Sequence, residues 1–147
     1  MMCLNNICIY KDHGGFELKE KLKSYLSEKG IEVVDYGTNS TESVDYPVYG
    51  KKAAKGVIAG EVEKAVVICG TGIGISLAAN KVEGIRCALC TNEYMAKMSR
   101  NHNDANMLAL GARVIGDELA KSILDTFLAE EFLAGRHKRR VDLIENC

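Results

Sequence analysis

The sequence predicts an α/β protein in which a five-stranded parallel sheet is flanked by helices, and two patterns carry that expectation. Short apolar runs recur along the chain, and one of them, Ala65-Val66-Val67-Ile68-Cys69, has no internal alternation and suits a strand buried on both faces. Between them lie amphipathic stretches whose apolar residues fall at helical spacing. Strand–helix alternation of this kind gives a parallel sheet with helices on both faces and right-handed crossovers. The expected arrangement is three-layered and Rossmann-like (flavodoxin-like).

The elements follow in order. Ile7-Cys8-Ile9-Tyr10 reads as the first strand, and Gly14-Gly15 breaks it. Leu18, Leu22, Tyr25 and Leu26 mark a helix that Gly30 closes, as glycine does just past a helix C-terminus. Ile31 to Tyr36 is the second strand, followed by a polar loop from Gly37 to Asp45 and the lone Pro47. Ala53, Ala54, Val57 and Ile58 mark the second helix, stopped by Gly60. Ala65 to Cys69 is the third strand, and a glycine loop opens a short helix through Leu77-Ala78-Ala79. Ile85 to Cys90 is the fourth strand, Met95 and Met98 belong to a short helix, and Met107 to Leu110 is the fifth strand. Leu119, Ile123, Leu124, Phe127 and Leu128 define the clearest helix. A basic segment, Arg136 to Arg140, precedes the apolar stretch Val141 to Ile144.

Composition narrows the function classes. The chain has 147 residues, which fits a single domain over 1–147. Hydrophobic residues make up 47% and charged residues 27%, the balance of a globular chain that buries a core. A net charge of -1 and an aromatic fraction of 6% argue against a nucleic-acid binder. No apolar run approaches the roughly 20 residues of a membrane span, and the first residues show no basic-then-apolar leader. Cys8, Cys69 and Cys87 sit in apolar, strand-like runs, so the 6 cysteines read as reduced thiols of a cytoplasmic protein rather than a disulfide framework.

Ligands of parallel α/β sheets bind beyond the carboxyl ends of the strands, which directs attention to Asp12-His13, to Cys69–Gly74 and to Thr91. Cys69-Gly70-Thr71-Gly72-Ile73-Gly74 follows a buried strand and opens a helix, so its amides suit a negative charge. A tight turn with no ligand is the competing explanation. The spacing excludes a dinucleotide fingerprint and a Walker-type loop, and Ile75 stands where a cysteine phosphatase loop needs its arginine. Cys69 is either inert packing or a thiolate favoured by the loop and able to take a proton from a carbon next to a carbonyl. The loop would then hold the enediolate oxygen. Cys87-Ala88-Leu89-Cys90 lies on a strand, where residues three apart face opposite ways, so packing is expected. Asp12-His13 suits acid–base work or hydroxyl binding, although an Asp capping the next helix explains it as well. Arg100-Asn101-His102-Asn103-Asp104 is a polar knot at a helix end, which reads as a plain loop or as a site, since that position lets His102 point outward, into its own cleft or toward a partner. The basic run Arg136 to Arg140 reads either as a solvated face or weak nucleic-acid or localisation patch, or, since Arg136 and Arg140 would stand one helical turn apart, as a clamp for a phosphate dianion to which Arg113 could add a third guanidinium.

Together these segments resemble the ribose-5-phosphate isomerase B family. The resemblance is carried by Asp-His-Gly-Gly at 12–15, Asp-Tyr-Pro at 45–47 and Cys-Gly-Thr-Gly-Ile-Gly-Ile-Ser at 69–76. Ala-Ala-Asn-Lys at 78–81, Gly-Ile-Arg at 84–86, Ser-Arg-Asn-His-Asn-Asp-Ala-Asn at 99–106, and Gly-Arg-His followed by Arg140 continue it in order. It implies a metal-independent aldose–ketose isomerase of the pentose phosphate pathway, without cofactor, acting on ribose 5-phosphate and ribulose 5-phosphate. Cys69 would be the base between C1 and C2, with Gly70, Gly72, Ile73 and Gly74 holding the enediolate and Thr71 assisting. His102 would help open the sugar ring. Asp12, His13 and Asn103 would bind the sugar, and Arg113, Arg136 and Arg140 the phosphate. The family is dimeric with sites at the subunit interface, so segment 133–147 is expected to reach the partner; a tetramer is the other assembly considered. Galactose-6-phosphate isomerase subunits share the glycine loop but lack the Asp-His, His-Asn-Asp and Gly-Arg-His features together. All three are present here, so the resemblance favours the pentose phosphate; the alternatives are an isomerase of allose 6-phosphate or galactose 6-phosphate, or a module that binds an anion without chemistry. One departure is Tyr10-Lys11, where the family usually carries small residues before the Asp-His.

Overall fold

The computed structural model describes residues 7–11, 15–35 and 45–146. Five strands, β1 (Ile7–Lys11), β2 (Val33–Asp35), β3 (Lys64–Cys69), β4 (Cys87–Leu89) and β5 (Met107–Gly111), form one sheet in the order β2-β1-β3-β5-β4. Every adjacent pair is parallel. Six helices accompany them: α1 (Phe16–Glu28), α2 (Tyr46–Ile58), α3 (Ile73–Asn80), α4 (Glu93–Asn101), α5 (Asp117–Ala129) and α6 (Arg136–Glu145).

Strands β3 and β5 divide the core by simple alternation. On one face, Val66 and Ile68 of β3 and Leu108 and Leu110 of β5 pack with Leu18, Leu22 and Leu26 of α1, Ala96 of α4, and Ile123, Leu124 and Phe127 of α5. On the other, Ala65, Val67, Cys69, Met107 and Ala109 meet Ala53 and Ala54 of α2 and Ile75 and Ala79 of α3. The second layer is thin because its helices present alanine and glycine; a Cβ on Gly50 would stand 3.1 Å from the Ile75 side chain.

The flavodoxin-like expectation needs correction at one edge of the sheet. That order runs 2-1-3-4-5, whereas here β5 is inserted between β3 and β4. Burial explains the insertion. All of β5 is buried, as an interior strand of a doubly covered sheet must be. The three residues of β4 are each only half-buried, and a short strand suits an edge. β4 is also shorter than the run from Ile85 to Cys90 suggests, because Asn106 intervenes. Its side chain accepts the Arg86 N–H and donates to the Gly84 carbonyl, satisfying that backbone without a strand partner.

The helix stops fall at the expected glycines. After α1, Gly30 N–H donates to Ser27 and Ile31 N–H to Leu26. After α2, Gly60 N–H donates to Val57 and Glu61 N–H to Gly56. Both pairs follow the Schellman pattern, which satisfies carbonyls that the helix end leaves open. Pro47 stands in the first turn of α2, where its missing N–H is no loss. Lys19 of α1 is fully buried, and its ammonium lies 2.6 Å from Asp35 at the end of β2, the pairing a buried charge requires. Among the described residues, no helix is long and apolar enough to cross a membrane.

Phe127 is fully buried between α5 and the sheet. Phe127→Ala should lower stability by about 3–5 kcal/mol. Val48→Ala, at a side chain 62% exposed, should change it by no more than about 0.5 kcal/mol. Equilibrium urea unfolding distinguishes the two, and equal effects would contradict this account of the core.

Candidate functional site

The chain leaves β3 through the glycine loop, and the local geometry explains its sequence. Cys69 ends the strand with its side chain nearly enclosed, and its sulfur accepts the Gly72 N–H at 3.0 Å. That bond needs the turn made by Gly72, whose φ of 80° suits glycine. A Cβ there would also stand 2.5 Å from Leu89 Cδ1. The Thr71 hydroxyl accepts the Ile73 N–H at 3.2 Å and so covers one open amide at the start of α3. The positive end of the α3 dipole follows directly on this turn, because the helix begins at Ile73.

The neighbouring strand holds this loop in place. Ala112 N–H donates to the Cys69 carbonyl at 2.9 Å, and Arg113 N–H to the Gly70 carbonyl at 3.0 Å. The contact is possible only because residue 111 is glycine, since a Cβ there would lie 2.5 Å from the Thr71 carbonyl oxygen. The same extension lays Arg113 over the loop: its Nη1 is 3.4 Å from where a Gly70 Cβ would stand. Tyr46 closes the other side. A Cβ on Gly74 would meet Tyr46 Cζ at 2.7 Å and its hydroxyl oxygen at 2.8 Å, and the tyrosine is 39% exposed.

A second group of expected site residues lies elsewhere. Asn92 caps α4 by accepting the Met95 N–H at 2.9 Å, and the helix ends at His102. Much of the polar knot after it is scaffolding. Arg100 donates to the Ala105 carbonyl at 2.6 Å and lies 3.0 Å from Asp104, and Asn101 donates to the Glu131 carbonyl at 2.8 Å. Arg86 donates to the carbonyls of Asn103 and Asp104 and to Glu145 of α6. His102 and Asn103 remain turned outward, half-buried and exposed. The His102 and His137 rings stack with centroids 4.1 Å apart and an interplanar angle of 13°. Burial, then His102, Arg136 and Arg140, lowers the His137 pKa from its usual value. Arg136 and Arg140 are exposed on the same helix. A cavity of about 590 Å³ opens beside Asn103, bordered also by Arg86, Cys87 and Glu145.

One chain therefore holds two separated groups. Ala65 pairs with Met107 and Cys69 with Gly111. His102 precedes Met107 and so lies at the edge where β3 begins, while Cys69 lies where it ends, a separation of about 13 Å along the strands. Cys69, Gly70, Thr71, Gly72, Ile73, Gly74 and Arg113 share one edge; His102, Asn103, Arg136 and Arg140 share the other. Asp12 and His13 lie outside the described residues. They follow Lys11, which pairs with Ile68, so the chain leaves β1 at the Cys69 edge. Sequence reasoning gave no role to Tyr46 or His137. Tyr46 was visible only as part of Asp45-Tyr46-Pro47, since its contact with Gly74 joins separate helices.

Cys69, Cys87 and Cys90 are all free thiols. Cys87 packs toward the α2–α3 layer and Cys90 into the opposite one, as expected of residues three apart on a strand. Burial, with Cys90 adding to it, pushes the Cys87 thiol up to about 12. Burial pushes Cys90 to about 11. Neither thiol ionises near neutrality. Among the described residues, no group of three or more His, Cys, Asp or Glu is arranged to hold a metal ion.

The ribose/galactose isomerase family model matches residues 7–144. Ribose-5-phosphate isomerase B of Escherichia coli (strain K12) is 51% identical over 133 residues, covering 90% of this chain and 89% of its own. The structure of Clostridium thermocellum ribose-5-phosphate isomerase B superposes with a TM-score of 0.95 at 57% identity, over 96% of this chain and 95% of the other. A ribose 5-phosphate isomerase from Thermotoga maritima gives a TM-score of 0.95 at 52% identity, over 97% and 98% of the two chains.

Gly111→Ala isolates the loop contact. The added methyl group must displace the Thr71 carbonyl, so stability should fall by about 1–3 kcal/mol. Cys69 should also react faster with a thiol reagent as its enclosing turn opens. Urea unfolding and timed alkylation of the native protein test both; an unchanged alkylation rate would show that the turn does not depend on β5.

Proposed function

The chain belongs to the ribose/galactose isomerase family, and on that premise we propose that it interconverts D-ribose 5-phosphate and D-ribulose 5-phosphate through an enediolate, in the pentose phosphate pathway. The observation that carries this reading is the position of Cys69. Its sulfur accepts the Gly72 N–H at 3.0 Å within the glycine turn, and Arg113 lies over the same loop. A hydrogen bond of this type strengthens as its acceptor gains negative charge.

The reaction follows from those parts. As a thiolate, Cys69 removes the proton from C2 of the open-chain aldose. The C–H electron pair becomes the C1–C2 double bond, and the carbonyl pair moves onto O1. The amides of the glycine loop and the Thr71 hydroxyl stabilise that developing oxyanion. The Cys69 thiol then returns its proton to C1 while the O2 proton moves to O1, leaving the ketose. His102 acts earlier, on the ring oxygen of the closed sugar. Asp12, His13 and Asn103 bind hydroxyl groups, and Arg113, Arg136 and Arg140 hold the phosphate. No step requires a metal.

The separation of the two groups supports a homodimer. The His102 edge of one chain would face the Cys69 edge of the other, with segment 133–147 contributing Arg136 and Arg140. A twofold arrangement closes both sites at once. Ile73 and Leu77 favour such docking: they stand one turn apart on α3 beside the loop, 52% and 63% exposed. A tetramer would add contacts without changing either site. The reading keeps the cytoplasmic location expected from the reduced thiols.

Proton NMR of ribose 5-phosphate in heavy water, with chelator-treated protein, tests the reaction directly. Ribulose 5-phosphate should form, with deuterium entering at the exchanged carbon. Cys69→Ala should stay folded and lose about 10²–10⁴-fold in turnover, the range expected for a positioned base. Wild-type activity in that variant would remove Cys69 from the mechanism.

Mixing tests the shared site. Cys69→Ala and His102→Ala should each be nearly inactive alone. After unfolding and refolding together in equal amounts, they should recover roughly a quarter of wild-type activity, because half of the dimers are hybrids and each hybrid has one intact site. No recovery in a mixture shown to contain hybrids would mean that both residues act within one chain.

A further inference from the structure

His137 lies in the Gly-Arg-His segment but has no part in the reaction as described above. Its ring is parallel to that of His102 within 13°, at a centroid distance of 4.1 Å. The two rings come from different elements, the end of α4 and the first turn of α6. Among the described residues, neither imidazole makes a hydrogen bond. An acid–base histidine normally has its ring set by a hydrogen bond to its second nitrogen. Here the face of a second ring takes that place, leaving both nitrogens of His102 available.

The platform under His137 is fixed at both ends. Leu133 N–H donates to the Asn101 carbonyl at 3.1 Å, just before α6, and Arg86 holds Glu145 at 2.5 Å near its end. The His137 N–H donates to the Ala134 carbonyl at 3.0 Å, tying the first turn of the helix. A lowered pKa keeps His137 uncharged near neutrality, so it does not set a cation against the face of its neighbour.

We infer that His137 is a positioning residue for His102, holding the catalytic imidazole in one plane by stacking, with α6 as the rigid support. The inference rests on the role given to His102 in the proposed isomerisation. It assigns α6 two tasks, carrying the phosphate-binding arginines on its exposed side and orienting the acid–base residue at its first turn.

Three variants and two readouts test it. His137→Phe keeps an aromatic face and removes the nitrogens. His137→Leu keeps bulk and removes the face, and His137→Ala removes both. The chain has 3 histidines, so His102→Ala assigns the His102 ring signals in imidazole NMR of the full dimer. Those signals should be shifted upfield by the stacked ring in the wild type and in His137→Phe, and should move toward free imidazole in His137→Leu and His137→Ala. In turnover, His137→Phe should stay within about threefold of wild type, while His137→Leu should lose about 10²-fold in kcat with little change in KM, as a misplaced catalytic group does. A raised KM with unchanged kcat would overturn the inference and assign His137 to phosphate binding. So would His102 signals indifferent to His137→Leu, or a Phe variant as slow as the Leu variant. A wild-type protein inactive on ribose 5-phosphate would fail the proposed reaction instead, and the ring signals would still decide whether the stack exists.

Discussion

The glycine loop keeps its shape because a neighbouring strand presses on it. The Thr71 carbonyl lies where any side chain at residue 111 would be, and the chain beyond that glycine donates to the Cys69 and Gly70 carbonyls. The contact depends on register. Cys69 lies opposite Gly111 because both β3 and β5 alternate their side chains between the same two cores. A slip of one residue would turn each strand inside out and would set Leu110 or Ala112 against Thr71. Core packing thus fixes the position of a backbone turn, and the turn fixes the donor to the Cys69 sulfur. The thinner α2–α3 layer serves the same end. Alanines and Gly50 let α2 approach α3, and Tyr46 at the start of α2 then covers Gly74.

Much of this was legible in the residues. The run that became β3 announced two-sided burial, and glycines 30 and 60 marked the helix ends they close. The glycine loop declared itself by its place between a buried strand and a helix. Strand order was not legible in the same way, because hydrophobic runs report how deeply a strand is buried and not which strand lies beside it. The half-buried state of β4 depends on neighbours that no local pattern names. The polar knot at 100–104 shows the same limit. Arg100 and Asn101 hold up the segment after α5, which is distant in sequence, and only His102 and Asn103 are left turned outward.

Distance between expected partners is the other thing a linear reading misses. Cys69 and His102 were grouped by resemblance, while the direction of α4 carries them to opposite ends of a parallel sheet. A helix that crosses between parallel strands must return the chain to the edge where the first strand began. Residues at its far end therefore stand away from the carboxyl ends of the strands, however strongly their chemistry suggests otherwise.

This division has a consequence for concentration. In a site assembled from opposite edges of two chains, a fully folded single chain has every residue in its proper place and no complete site. Folding and competence then become separate thresholds. Below the dissociation constant of the pair, the number of working sites falls with the square of the chain concentration, while the folded fraction need not change at all. Dilution would silence such an enzyme without unfolding it, and crowding the same chains back together would restore it.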